Sequence, residues 1–109
     1  MPVGFVAVAA DSDVAEGQVV EVFVGGQPVL LCRVRDRVYA CSAECTYDEE
    51  SSLTTGVLRG YDLVCPHHGC EFDIRSGRVL NPPAEDPLPT YEARVDGGRI
   101  LVAQRPRGW

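Results

Sequence analysis

The sequence has few basic residues and no long apolar run. It carries 10 Lys and Arg against 16 Asp and Glu in 109 residues, a formal net charge of −6 at pH 7. Because phosphate recognition needs a basic face, this balance argues against a nucleic-acid binder. No stretch approaches the roughly 18 apolar residues of a membrane span, and the start, Met1-Pro2-Val3-Gly4, lacks the charged and apolar regions of a signal peptide. We therefore expect a cytoplasmic protein with no membrane partner.

Histidine is also scarce, whereas cysteine is not. The chain has five cysteines and two histidines. An odd number of cysteines cannot all pair as disulfides, and disulfides are rare in a reducing compartment. Both histidines, His67 and His68, lie between Cys65 and Cys70. This clustering indicates metal or redox chemistry rather than a disulfide framework.

Helical segments are few, and the pattern is one of short β-branched runs. Turn formers such as Gly25-Gly26 and Arg35-Asp36-Arg37 separate these runs. Strands are predicted at residues 5–8, 19–24, 29–34, 38–41, 57–58, 62–65, 71–74, 78–80, 91–95 and 99–102. One helical turn is predicted within residues 11–16. The regular spacing predicts an all-β fold, a small antiparallel sandwich or barrel in a single domain.

Two segments interrupt the strand pattern, and long loops in a compact domain usually carry function. Residues 42–56 are polar and contain Cys45-Thr46-Tyr47, whereas residues 81–89 contain four prolines. After 17 intervening residues, Cys45-Thr46-Tyr47 is followed by Cys65-Pro66-His67-His68-Gly69. Thiolates and imidazoles both suit iron and zinc. The spacing predicts that two loop tips bring these ligands together.

This pattern resembles that of the Rieske-type ferredoxins, in which Cys-x-His is followed, after a long loop, by Cys-x-x-His-Gly. Other segments look like family positions, so the resemblance covers nearly the whole chain: residues 53–56, 58–60, 72–73, 76–77, 81–84 and 87–91. The resemblance implies a [2Fe–2S] cluster with two cysteines on one iron and two histidines on the other. It also implies a single domain, residues 1–109, with a cluster-binding subdomain of two loops at about residues 42–83. The base domain would comprise about residues 3–41 and 84–103.

Carried over by position, the resemblance makes Cys45 and Cys65 ligands of the buried iron and His68 a ligand of the outer iron. The fourth position falls on Tyr47, where the family has histidine. Tyr47 could ligate as a phenolate, Cys41 could supply a third thiolate, or the site could be degenerate and hold no cluster. His67 is expected to face solvent, because its side chain should point away from that of His68.

The remaining cysteines have simpler interpretations. Cys32 lies in an apolar strand and is expected in the core, since a free cysteine packs as a small hydrophobe. Cys70 is expected to pack beneath the second loop, with a Cys41–Cys70 disulfide as a minor alternative. Thr46 and Gly69 are candidate hydrogen-bond donors to the cluster sulfurs. The proline-rich segment resembles the family's loop that covers one side of the cluster.

The resemblance implies a one-electron carrier that is not itself an enzyme. Its partners would be a flavin-dependent ferredoxin reductase and a terminal oxygenase, and the protein would be a monomer. Two other functions stay open. One is a structural zinc module built from Cys41, Cys45, Cys65 and His68. The other is a cluster-free, Rieske-like interaction subunit of the nitrite reductase type.

Overall fold

The computed structural model describes residues 4–48 and 52–107, and the regular structure in these ranges is almost entirely β. One 3-10 turn, Asp11–Asp13, occupies the start of the segment predicted as helical. The strands are β1 Phe5–Ala10, β2 Val19–Val24, β3 Gln27–Val34, β4 Arg37–Ser42, β5 Val57–Arg59, β6 Asp62–Val64, β7 Glu71–Asp73, β8 Val79–Asn81, β9 Thr90–Tyr91, β10 Ala93–Asp96 and β11 Arg99–Ala103. The predicted all-β class is confirmed, and nine of the ten predicted strands agree to within two residues at each end.

The remaining prediction, a single strand over residues 91–95, is wrong. Thr90 and Tyr91 pair with β4, whereas Ala93 starts the pairing with β11. Between them, the Glu92 carbonyl accepts a hydrogen bond of 2.9 Å from the Ala103 amide. The chain therefore crosses from one sheet to another at Glu92. Strand propensity is similar on both sides of this crossing, so the sequence pattern shows one run where the fold has two strands.

Three antiparallel sheets make up the described part of the chain. The first has the order β1-β11-β10, the second β2-β3-β4-β9, and the third β5-β6-β7-β8. The third sheet consists of consecutive strands between residues 57 and 81, inserted between β4 and β9 of the second sheet. Its hairpins place the loop between β6 and β7 at one end of the sheet. No helix in the described ranges has the length and apolar character needed to span a bilayer.

Strand β3 is buried on both faces because it lies between two hydrophobic clusters. Leu30, Cys32 and Val34 pack into the cluster shared with the third sheet. Val29 and Leu31 pack into the cluster shared with the first sheet. Successive side chains of a strand point to opposite faces. A strand enclosed on both sides therefore needs a continuous apolar run instead of alternation, and this explains the sequence of residues 29–32.

The buried Arg33 on this strand connects it to the 3-10 turn. Its Nε donates a 2.6 Å hydrogen bond to the Val14 carbonyl, and Nη2 donates one of 2.8 Å to the Asp11 carbonyl. Nη2 also forms an ion pair with the Asp11 carboxylate. A buried charge is costly unless it is paired and hydrogen-bonded, and here both conditions are met.

Candidate metal centre

Three loops carry the candidate site residues. We call them the first cysteine loop (residues 43–56, between β4 and β5), the second cysteine loop (residues 65–70, between β6 and β7) and the proline loop (residues 82–89, between β8 and β9). Each is fixed by backbone hydrogen bonds to a neighbouring strand or loop. The geometry of the site follows from these anchors.

The second cysteine loop is closed at its base. The Cys65 amide donates a 2.7 Å hydrogen bond to the Cys70 carbonyl, and the Gly69 amide donates one of 3.2 Å to the Cys65 carbonyl. Gly69 has φ +72°, a left-handed conformation that favours glycine. The Asn81 side-chain amide donates a 3.0 Å hydrogen bond to the Gly69 carbonyl. These bonds keep Cys65 at the buried base and leave His68 at the exposed tip. They also engage the Gly69 amide, so its predicted role as a donor to a cluster sulfur is not supported.

The first cysteine loop is anchored on both sides of Cys45. The Ala43 amide donates to the Pro28 carbonyl at 3.1 Å, and the Leu53 amide donates to the Ala43 carbonyl at 2.7 Å. Leu53 is fully buried in the same hydrophobic cluster as Cys45. The base of this loop is therefore part of the core, whereas Tyr47 extends beyond it.

The proline loop is tied to the first cysteine loop and to the third sheet. The Thr46 hydroxyl donates a 2.7 Å hydrogen bond to the Asp86 carbonyl, and the Leu88 amide donates one of 2.7 Å to the Gly77 carbonyl. Thr46 was expected to donate to a sulfur, but its hydroxyl is used to hold the proline loop. This loop lies against the residue that follows Cys45, which agrees with a covering role.

Burial divides the four candidate ligands into two pairs. The thiols of Cys45 and Cys65 belong to the core, with residue exposures of 0% and 2%. In contrast, Tyr47 is 53% exposed, and the side chain of His68 is 35% exposed. The sulfur donors therefore lie inside, and the ring donors lie at the surface.

The two ring donors are in contact although they belong to different loops. The Tyr47 and His68 rings meet edge to face, with centroids 5.0 Å apart and planes at 74°. On the same imidazole, Nε2 lies 3.2 Å from Oδ2 of Asp48. His67, as expected, is exposed, and its ring lies further from that of His68, at 6.5 Å between centroids.

The other three cysteines are fully buried, as expected for Cys32 and Cys70. Cys41, which the sequence left open as a third thiolate ligand, packs with Cys32. A hydrogen bond with the Cys32 thiol, together with burial, raises the pKa of the Cys41 thiol well above its usual value. All five thiols are free, so the Cys41–Cys70 disulfide is not formed in the structure.

The burial of the candidate ligands can be compared with the way a two-iron group divides its donors. Among the residues that the structure describes, no three His, Cys, Asp or Glu side chains are grouped as they would be round one metal ion. A [2Fe–2S] cluster divides its ligands between two irons, two thiolates on one and the remaining donors on the other. The separation into buried thiols and exposed rings matches that division.

Asp48 is the site residue that the sequence pattern missed. Within the acidic run Asp48-Glu49-Glu50 it looks like one more solvated carboxylate, and Glu49 and Glu50 lie outside the described residues. Its only sequence signal is its position directly after the third residue of the Cys-x-His-type motif. The contact with His68 arises because two separate loops meet.

Comparison with known proteins identifies the same family that the spacing of cysteine and histidine resembles. The family model described as Rieske [2Fe-2S] domain matches residues 4–92. The ferredoxin component of the naphthalene 1,2-dioxygenase system of Pseudomonas putida is 30% identical over 102 residues, covering 94% of this chain and 97% of its own. Ferredoxin CarAc of Metapseudomonas resinovorans is 36% identical over 97 residues, 88% of this chain and 90% of its own.

Solved structures agree in fold. The ferredoxin of carbazole 1,9a-dioxygenase from Nocardioides aromaticivorans IC177 superposes with a TM-score of 0.88 at 34% identity, covering 93% of this chain and 98% of that one. A ferredoxin in a complex of reduced oxygenase and oxidized ferredoxin in carbazole 1,9a-dioxygenase also gives 0.88, at 33% identity and with 95% and 96% coverage. Because the family model matches most of the chain and the ferredoxin structures share its fold, this chain belongs to the Rieske [2Fe-2S] domain family.

Proposed function

We propose that this protein is a ferredoxin, a one-electron carrier that receives electrons from a flavin-dependent ferredoxin reductase and delivers them to a terminal oxygenase. The observation that carries the proposal is the pairing of two buried thiols with two exposed ring donors on loops of a Rieske domain. The relatives named above as ferredoxin components, matched over nearly their whole length, support a carrier role rather than catalysis. When bound, the [2Fe–2S] cluster supplies the site that gains and loses one electron.

The ligand assignment follows the division between buried and exposed donors. Cys45 and Cys65 would hold the inner iron, and His68 and Tyr47 would hold the outer one. As an anionic oxygen donor, a Tyr47 phenolate would stabilise the oxidised state more than a neutral imidazole does. We therefore expect a lower reduction potential than that of a site with two histidines.

Cys41 is the weaker candidate for the fourth ligand. It lies within β4, opposite Leu30 on one side and Thr90 on the other. Its thiol is engaged with Cys32. A role as ligand would require this strand to give up its pairing, whereas Tyr47 already contacts His68.

The two competing functions lose support for different reasons. A zinc module would need Cys41, Cys45, Cys65 and His68 to converge on one ion, whereas the Cys41 thiol is engaged with that of Cys32. A cluster-free interaction subunit would have no need to keep two buried thiols and an imidazole in the family positions. The cluster-free alternative predicts a protein without bound iron, which the metal content tests directly.

Partner exchange is expected at the exposed tip formed by Tyr47 and His68. A structure in the comparison contains a ferredoxin bound to an oxygenase, and that ferredoxin matches this chain over nearly its full length. The net charge of −6 suits basic partner surfaces and argues against nucleic acid. We propose that the carrier is a monomer, and electron-transfer partners would bind it transiently through small interfaces.

Metal and sulfide content after anaerobic reconstitution test the proposal. We expect two irons and two acid-labile sulfides per chain, a visible absorption spectrum, and an EPR signal from the dithionite-reduced protein. Stopped-flow mixing of the reduced protein with an oxidised Rieske oxygenase should transfer one electron per cluster.

The Cys45→Ser variant is the control, because it removes one proposed ligand to the inner iron. It should lose iron, sulfide and electron transfer together. Bound zinc without sulfide would favour the zinc module. A wild-type protein with no metal that still forms a complex with an oxygenase would favour the cluster-free subunit.

A further inference from the structure

A carboxylate contacts the Nε2 nitrogen of His68, the proposed histidine ligand. Oδ2 of Asp48 lies 3.2 Å from Nε2 of His68, and the two residues come from different cysteine loops. Their side chains are 39% and 35% exposed, respectively, so both lie at the edge of the site rather than free in solvent. The contact connects the tips of the two loops that carry all four proposed ligands.

The chemistry of the pair fixes which nitrogen is available to a metal. An ionised carboxylate only accepts hydrogen bonds, so Nε2 must carry the proton. In a neutral imidazole the other nitrogen, Nδ1, then has the free lone pair. Such a carboxylate partner fixes the tautomer and ring orientation of a ligating histidine and raises its basicity.

The ring is also restrained on its other side. Tyr47 packs edge to face against the imidazole at 5.0 Å between centroids. With a hydrogen bond at Nε2 and an aromatic contact, the His68 ring has little freedom to rotate even though it is partly exposed. Orientation of a metal ligand by such outer partners is a general feature of protein metal sites.

We propose that Asp48 is a positioning residue, whose carboxylate accepts the Nε2 proton of His68, presents Nδ1 to the outer iron and lowers the reduction potential of the cluster. This inference rests on the proposed function, because it takes His68 as a ligand. The hydrogen bond gives the imidazole partial imidazolate character, which increases its donation to iron and favours the oxidised state.

Two isosteric variants separate this role from a simple charge effect. Asp48→Asn removes the charge and weakens the acceptor while it preserves the size of the side chain. Asp86→Asn is the matched control. Asp86 is exposed on the proline loop, and its backbone carbonyl accepts a hydrogen bond from the hydroxyl of Thr46, the residue next to Cys45. The backbone of Asp86 thus lies next to the site, and within the described ranges its side chain makes no hydrogen bond to His68.

The measurements are the reduction potential at a single pH and the nitrogen hyperfine couplings of the reduced protein labelled with ¹⁵N-histidine. We expect Asp48→Asn to favour reduction by about tenfold in the equilibrium constant, which is 59 mV for a one-electron couple. The hyperfine coupling of the bound histidine nitrogen should change with it. Asp86→Asn should shift the potential much less and leave the coupling unchanged.

The possible failures are distinguishable. If the two variants shift the potential equally and neither changes the coupling, Asp48 acts only as a nearby charge and the inference is wrong. If the wild-type cluster shows no histidine nitrogen coupling, His68 is not a ligand, and the inference falls while the carrier function stands. If the wild-type protein binds no iron and sulfide, both the proposed function and the inference are overturned.

Discussion

The rings of Tyr47 and His68 meet edge to face, with 5.0 Å between their centroids. The two residues come from separate loops, and we propose both as ligands of the outer iron. In that assignment Tyr47 takes, beside His68, the place that the family motif gives to a second histidine. A phenol in that place changes the charge of the donor set as well as its shape, and the first prediction tests this change.

Replacing Tyr47 with histidine should raise the reduction potential. If Tyr47 is the proposed phenolate ligand, the substitution exchanges an anionic oxygen donor for a neutral imidazole, which stabilises the oxidised iron less. Protein-film voltammetry together with the absorption spectrum measures the change. Tyr47→Phe is the control, because it keeps the aromatic contact with His68 and removes only the oxygen. If Tyr47→Phe preserves both the spectrum and the potential, Tyr47 lies outside the coordination shell.

Single cysteine substitutions should divide the five thiols into two groups. Cys45→Ser and Cys65→Ser are expected to abolish cluster binding. Cys32→Ala and Cys41→Ala should retain the full iron and sulfide content and lose about 1 kcal/mol of stability each, as small truncations of buried side chains do. Colorimetric iron and sulfide assays and thermal unfolding measure the two effects. Loss of iron in Cys41→Ala would instead identify Cys41 as the fourth ligand.

Gly77→Ala should strongly destabilise the protein and loosen the proline loop. Gly77 has φ +80°, and an added Cβ would lie 1.9 Å from the Leu88 carbonyl oxygen, which forces the two segments apart. We expect a loss of about 3 kcal/mol. Gly97→Ala is the matched control, since Gly97 also has positive φ, +61°, but no atom of residues 4–48 or 52–107 lies within 4 Å of an added Cβ.

The control should cost only about 1 kcal/mol, the ordinary cost of a left-handed alanine. Urea unfolding of the three proteins measures the difference, and the rate of cluster loss in a chelator reports on the proline loop. Equal losses of stability in the two variants would show that the Gly77–Leu88 contact relaxes without cost.

Asp62 should make the stability fall as the pH rises from about 4 to about 6. Burial, followed by hydrogen bonding with Glu71, raises the pKa of the Asp62 carboxyl from 3.8 to about 6. Its Oδ1 is buried and has no hydrogen-bond partner among the residues that the structure describes. The folded protein therefore binds a proton more tightly than the unfolded chain does, and the stabilisation present at low pH is lost as the pH passes the folded-state pKa.

Comparison of wild type with Asp62→Asn isolates this effect, because the titrations of groups that do not interact with Asp62 cancel in the difference. The free energy of unfolding of wild type minus that of Asp62→Asn should decrease from about pH 4 through about pH 6 and level off only above the folded-state pKa. Asp96→Asn, at an exposed hairpin position, controls for the loss of a negative charge. A flat difference for Asp62→Asn across this range would contradict the predicted titration.

Local sequence was sufficient for most of the fold. β-branched runs and turn formers gave nine strands to within two residues, because each strand and turn depends mainly on its own residues. The prediction of one strand over residues 91–95 was wrong for the opposite reason. The division of this segment at Glu92 depends on which sheet each half joins: the first half pairs with β4, far away in the chain, and the second with β11, which follows it in a hairpin.

The candidate site shows the same division. The sequence by itself determined the cysteine spacing, the motif with tyrosine in place of histidine, and the core placement of Cys32 and Cys70, because these follow from residue type and position. The ligand roles of Cys45, Cys65, His68 and Tyr47 stay predictions.

Only the tertiary structure decided that Cys41 packs with Cys32 and that Thr46 holds the proline loop. It also placed the carboxylate of Asp48 on His68. Each of these is a contact between side chains or loops that are distant along the chain or lie on different strands. Such contacts depend on sheet register and loop packing, which no local pattern of residues encodes.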